Sequence, residues 1–144
     1  MMKGYVVYFS QSGNNKRLAN SIAKDYKLPI SEITPKEEYS SDYSELESRA
    51  KSERFKNLNV EINDITIPPD TDTLIIASPI WYADLPRPVV SFLKQQKNNF
   101  KRVILVSDKF MVGFGLCGRT LKRYTKGHPK IEKISTNSSK NVKI

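Results

Sequence analysis

The sequence predicts an α/β fold, a three-layer α/β/α sandwich built on a five-stranded parallel sheet. Three observations carry that reading. Short apolar runs at residues 5–9, 72–78 and 103–106 are continuous rather than alternating, as expected of strands covered on both faces. Segments with helical spacing separate them. Polar loops rich in Ser, Asn, Gly or Pro follow the strands, which is the layout of repeated βαβ units.

The first run, Tyr5-Val6-Val7-Tyr8-Phe9, has the β-branched and aromatic content of a buried strand. It stops at Ser10-Gln11-Ser12-Gly13-Asn14-Asn15, all small or polar turn formers. Leu18, Ala19, Ile22 and Ala23 then fall at helical spacing and predict an amphipathic helix over residues 15–26. Pro29 interrupts the chain before a second short strand around Ile30 and Ile33. Residues 34–59 carry weaker signals: a loop through Pro35 and the Tyr/Ser stretch to Ser44, then a charged surface helix holding Leu46, Ala50 and Arg54. Pro68-Pro69 close that region before the strand at residues 72–78.

Beyond that strand runs Pro79-Ile80-Trp81-Tyr82-Ala83-Asp84-Leu85-Pro86-Arg87-Pro88. Proline suits a first helical turn, so a helix starts near Pro86 or Pro88 and turns Val89, Phe92 and Leu93 inward. After the strand at 103–106, residues 109–118 read as a loop, with Phe110, Gly113, Gly115 and Gly118. A basic helix follows over 115–125, anchored by Leu116, Leu121 and Tyr124. Gly127-His128-Pro129 ends it, and residues 130–135 form a last short strand.

The chain of 144 residues is the size of one domain, residues 1–144. At that length roughly 68% of the unfolded surface is buried, enough to fold without metal or disulfide. One cysteine and one histidine exclude an intrachain disulfide framework and a His-rich metal site. They point to a cytoplasmic protein. Cys117 lacks a nearby cysteine and reads as a small buried residue; His128 reads as a surface turn residue. No apolar stretch approaches the ~18 residues of a membrane span, and the amino-terminal apolar run is too short for a signal peptide, so no membrane association is expected.

The net charge of +9 is divided unevenly. Residues 1–72 hold 10 Lys+Arg and 12 Asp+Glu, a net of −2, whereas residues 73–144 hold 14 and 3, a net of +11. Such a half attracts anionic partners without specifying them. No helix-turn-helix, zinc or stacking-sheet motif accompanies the charge, so no nucleic-acid partner is expected.

In a parallel sheet the loops after the strands converge at one edge, where ligands bind. The turn Ser10, Gln11, Ser12, Gly13, Asn14, Asn15 offers hydroxyls, amides and backbone N–H groups leading into a helix, an environment that suits a phosphate. An ordinary polar turn has the same composition. It matches neither the P-loop nor the dinucleotide fingerprint in glycine spacing. The second loop carries Pro79, Ile80, Trp81 and Tyr82, with a flat ring suited to stacking at a rim; a lone tryptophan also serves a core. The third offers Ser107, Asp108, Phe110 and Gly113, where glycine permits close approach of backbone to ligand. Together they suit a ligand with a phosphate tail and a flat heteroaromatic head.

Tyr8-Phe9-Ser10-Gln11-Ser12-Gly13-Asn14-Asn15 resembles the phosphate-loop signature of the flavodoxin family, and Ala77-Ser78-Pro79-Ile80-Trp81-Tyr82 with Pro88-Val89-Val90-Ser91-Phe92-Leu93 is similar to the second flavin loop and helix of its short members. The resemblance spans residues 3–125. It implies strand order 2-1-3-4-5 and FMN as cofactor. Ser10, Ser12, Asn14 and Asn15 would surround the phosphate, Gly13 would allow the tight wrap, Trp81 would contact the isoalloxazine with Tyr82 close by, and residues 107–113 would supply the other flavin-side loop. Many relatives have Thr where this chain has Ser12 and Asn15, many are acidic, and the family's last strand is normally followed by a final helix.

Here the chain reaches Asn141-Val142-Lys143-Ile144 with that final helix missing. A partner or second subunit in a homodimer covers the surface, the C-terminal segment reorganises, or the sequence is incomplete. What the resemblance implies is an FMN-binding redox protein that transfers electrons without a catalytic side chain. It is either a carrier serving a redox partner protein or a reductase passing hydride from NAD(P)H to a small quinone-like acceptor. The missing helix and Asn15 motivate a second reading, a flavin-free interaction protein that kept the fold. The basic helix region, Arg119, Lys122, Arg123, Lys126 and Lys130, is a solvated face or a recruiting surface for an acidic redox partner or a nicotinamide phosphate.

Overall fold

In the computed structural model, residues 3–108 and 113–144 are described. Five strands alternate with four α-helices among these residues: β1 (Gly4–Tyr8), α1 (Asn14–Tyr26), β2 (Ile30–Glu32), α2 (Tyr43–Phe55), β3 (Thr73–Ala77), α3 (Arg87–Gln95), β4 (Arg102–Ser107), α4 (Cys117–Tyr124) and β5 (Lys130–Ser135). All strand pairs are parallel and the order is β2-β1-β3-β4-β5, as the resemblance implied. The continuous apolar runs are the central strands. Every residue of β3 is buried, because helices cover both faces of the sheet.

Alternation along the strands divides the core in two. Val7, Leu74, Ile76, Val103 and Leu105 pack with α3 and α4 on one face. Val6, Ile75, Ala77, Ile104 and Val106 pack against Leu18, Ala19 and Ile22 of α1 on the other. The loop before β3 also joins the first face through the buried Ile62 and Ile67, and Pro35 bridges Ile62.

No α-helix follows β5 among the described residues. After Ser135 the chain makes a single 3₁₀ turn, Ser139–Asn141, and returns over the face that holds α1. Val142 is fully buried and Ile144 packs beside it in the second core. Polar contacts pin this tail. The Tyr26 hydroxyl donates to the Val142 carbonyl at 2.5 Å, Ser139 Oγ donates to Asp25 at 2.5 Å, and Arg102 donates to the Lys143 carbonyl at 2.8 Å while pairing with Glu132. Of the ways foreseen for covering the sheet, the reorganised C-terminal segment is therefore present.

Two sequence assignments change. Leu116 does not anchor the basic helix; it precedes α4 and is 40% exposed, while Leu121 is fully buried. Gly118 belongs to α4 rather than to the loop, in a place where a Cβ would press on the Lys133 ammonium. No helix among the described residues is long and apolar enough to cross a membrane.

Candidate functional site

The strand order reverses between β1 and β3, so the loops leaving them diverge and open a crevice at the carboxyl edge. A cavity of about 440 Å³ occupies it, within the usual size of small-molecule sites. All three predicted loops line it: Gln11, Ser12, Asn14 and Asn15 after β1, Pro79, Ile80 and Trp81 after β3, and Ser107 and Asp108 after β4. Ser10, Gly13, Tyr82 and Gly113 are not among its lining residues, and Phe110 lies outside the described residues.

The turn after β1 is shaped by Ser10 and Gly13. Ser10 Oγ accepts from the Gly13 N–H at 3.0 Å, and Gly13 takes φ +94°, a left-handed conformation that glycine adopts without penalty. This fold of the turn delivers the chain into α1 with no side chain capping the helix. The first turn holds no acidic residue; it carries Lys16 and Arg17 instead. Unpaired N–H groups, the positive end of the helix dipole and two cations therefore coincide, an arrangement that an anion completes. The Arg17 guanidinium folds back over the turn, donating to Asn14 Oδ1, with Nη1 3.4 Å from where a Gly13 Cβ would stand.

Asn15 is buried and ties this turn to the next loop. Its Oδ1 accepts from the Asp108 N–H at 2.8 Å. Because a backbone N–H is the partner, the oxygen end is fixed there, and Nδ2 is left without a protein partner among the described residues. One amide thus serves as strut and as spare donor, which a Thr hydroxyl at this position would do less well.

Trp81 stands half-buried on the cavity wall, held edge-to-face by Phe9 and Tyr39, each with ring centroid 5.3 Å from the indole. Both the rim and the packing readings of this residue thus have a structural basis. Tyr39 is itself locked: its hydroxyl donates to the buried Glu53, Arg49 Nε bonds the same carboxylate at 2.8 Å, and the Arg49 guanidinium lies 3.9 Å over the Tyr39 ring. Burial, then the bond to Glu53, pushes the Tyr39 hydroxyl well above its ordinary range.

The chain reverses immediately after Trp81. Trp81 and Asp84 exchange backbone hydrogen bonds of 2.9 and 3.2 Å, with φ +53° at Tyr82 and +63° at Ala83. Two positive φ values define a type I′ turn, normally built from Asn and Gly. Neither Tyr nor Ala favours it, so outside contacts must hold it. The Leu116 N–H donates to the Ala83 carbonyl at 2.7 Å, and Asp84 Oδ1 accepts from the Leu85 N–H and the Thr120 hydroxyl at 2.8 and 2.6 Å. Gly115 lies so close that a Cβ would stand 2.3 Å from the Ala83 oxygen. Tyr82 is turned toward α2, where it meets Phe55 and donates to the Glu47 carbonyl at 3.3 Å.

Four further residues line the cavity: Tyr43 and Leu46 of α2, Phe114, and Ser135 at the end of β5. Tyr43 and Leu46 sit one helical turn apart in a segment with weak sequence signals, and Ser135 is the fifth strand's counterpart of Ser107. Cys117 is fully buried, its thiol pushed up to about 12 by burial and then by the Asp84 carboxylate, and so is not a reactive nucleophile. Among the described residues no cluster of His, Cys, Asp and Glu could hold a metal ion.

The family model for flavodoxin matches residues 3–140. The chain belongs to the flavodoxin family. In structure this flavodoxin-family chain is similar to a protein from Bacteroides eggerthii assigned as a flavoprotein, at 23% identity and TM-score 0.81 over 96% of this chain and 90% of that one. It is similar also to a Lactobacillus acidophilus flavoprotein in complex with FMN, at 18% identity and TM-score 0.76 over 97% and 96% of the two chains. A third such structure, from Bacteroides uniformis, shares 22% identity at TM-score 0.79 over 94% and 89%. At these identities the likeness speaks for the fold. No curated protein sequence matches the chain.

Proposed function

We propose that the protein binds FMN in this cavity and functions in electron transfer. The observation that carries the proposal is the pairing, within one cavity, of an uncapped, cationic helix terminus with a fixed aromatic wall. The α1 terminus would take the phosphate through backbone N–H groups, with Asn15 Nδ2 as a further donor. Trp81, with Tyr43 and Leu46 on the same cavity, would hold the ring system. The FMN bound to the Lactobacillus flavoprotein of like fold supports the same assignment.

When bound, FMN supplies the redox chemistry, and the protein's task is orientation and electrostatic tuning. The Trp81 ring, fixed by Phe9 and Tyr39, would set the plane of the bound ring and exclude water from one side. Asp108, on the cavity wall, brings negative charge toward the site from β4. Two outlets for the electrons fit this reading, a redox partner protein or, with NAD(P)H as hydride donor, a small quinone-like acceptor.

The two features that suggested a flavin-free interaction protein each have another account. The protein's own tail lies over the sheet face that holds α1, and Asn15 joins two cavity loops. Trp81 is the chain's one tryptophan, so its fluorescence reports the site directly. Titration with FMN should quench it, and desalted protein should retain flavin absorption that is lost or weakened in Trp81→Ala. Absence of quenching and of retained flavin would reject the proposal. Oxidation of NADH or NADPH only when a quinone is present would mark the reductase.

A further inference from the structure

We propose that the face formed by α4 and β5 is a docking surface for an acidic redox protein; its redox part rests on the FMN reading above. Arg119, Lys122 and Arg123 recur at i, i+3 and i+4 on α4, all exposed, while Cys117, Thr120 and Leu121 are buried on the opposite side. Exposed Lys126 follows just past the helix. Lys133 of β5 reaches the same face, since a Cβ on Gly118 would stand 3.1 Å from its ammonium nitrogen. Between Asp108 and Glu132 the sequence contains no acidic residue, and Glu132 is engaged by Arg102. None of these five cations forms an ion pair among the described residues.

Local stability accounts for only part of this charge. Lys122 and Arg123 occupy the last turn of α4, where cations favour the helix dipole. Arg119 sits in the first turn, which has no acidic residue, and the Lys133 ammonium of β5 lies against Gly118 in that same turn, where positive charge opposes the dipole. A surface that accepts unfavourable charge there is complementary to an anionic partner.

Two observations favour a protein over a nucleic acid. Leu116, 40% exposed, sits at the head of this basic face, giving an apolar contact beside a charged rim as protein interfaces have. Exposed aromatic rings for base stacking are absent among its described residues, Tyr124 being half-buried with Lys94 and Arg123 over it. The face also adjoins the cavity. α4 begins just past Phe114, β5 ends on Ser135, and Leu116 binds the turn that follows Trp81. A protein docked here would sit beside the site.

The test uses a small acidic [2Fe–2S] ferredoxin immobilised as probe, with the wild-type protein and Arg119→Glu/Lys122→Glu/Arg123→Glu passed over it. We expect saturable binding that weakens about tenfold or more between roughly 20 and 300 mM salt and is lost in the triple variant. Arg119→Glu and Lys133→Glu singly should each weaken binding, and both place a negative charge where α4 favours it, so folding is preserved if the triple variant fails. Equal binding by wild type and folded variants, or none at low salt, would overturn the proposal. So would tighter binding to duplex DNA or to phosphatidylglycerol vesicles at the same salt. FMN retention is measured on the same preparations: docking without flavin would overturn the redox part alone, and flavin without docking would overturn the surface.

Discussion

At the scale of single residues, the cavity depends on side chains whose roles are divided between holding structure and meeting a ligand. Asn15 does both with one amide. Arg17 is not among the residues that the sequence singles out, because a charged residue in the first turn of an amphipathic helix ordinarily belongs to its solvated face. Its guanidinium over the Gly13 turn makes a specific prediction. Arg17→Gln should weaken FMN roughly 3- to 10-fold while leaving riboflavin, which lacks the phosphate, unchanged. Titrations of Trp81 fluorescence with the two flavins would check this, and equal losses for both would refute it.

Among the elements, the turn after Trp81 and the C-terminal tail rest on contacts far away in sequence. Gly115→Ala would drive a Cβ into the Ala83 oxygen and force a non-glycine residue to φ +52°, so the strained turn should open. We expect a stability loss of about 2 kcal/mol or more and reduced flavin retention, measured by urea unfolding and desalting. Ala83→Gly should instead stabilise by about 1 kcal/mol, since it relieves a positive φ. For the tail, Val142→Ala empties a fully buried site and should cost about 2 kcal/mol, by the same unfolding measurement. A loss within error would mean that the tail does not contribute to the second core.

For the whole molecule, burial of titratable groups sets a pH limit. The Cys117 thiol, with an ordinary value of 9.0, is held at about 12 in the folded protein. Above pH 9 the unfolded chain releases this proton while the folded chain keeps it, so stability falls as pH rises from 9 toward 12. Tyr39, raised chiefly by burial, adds to the decline at the upper end. The Cys117 contribution is bounded by about 1.4 kcal/mol per pH unit. Urea unfolding between pH 8 and 11 should show a shallower decline in Cys117→Ala, and an identical slope would remove Cys117 as its source.

Much of this architecture is legible in the chain because it is local. The runs at residues 5–9, 74–77 and 103–106 are apolar throughout because two layers of helix cover them, and the bounds of β5 were readable to the residue. Nine of the thirteen candidate site residues line one cavity because parallel strands bring their following loops to one edge. The remainder was set by the partner side of each contact. Tyr82 follows Trp81 directly, yet a type I′ turn points it at α2. Tyr43 and Ser135 reach the cavity from elements that sequence spacing does not connect.

By itself the sequence determined the strand runs, the polar turns after them, the family resemblance and the division of charge into a near-neutral half and a +11 half. Periodicity, turn chemistry and composition are properties of neighbouring residues, so they need no fold to be read. Only the tertiary structure decided that the tail covers the second core, that a glycine more than thirty positions away clamps the Trp81 turn, and that Lys133 joins the cations of α4. Each of these is a contact between segments distant along the chain, where position in space, and not residue type, selects the partner.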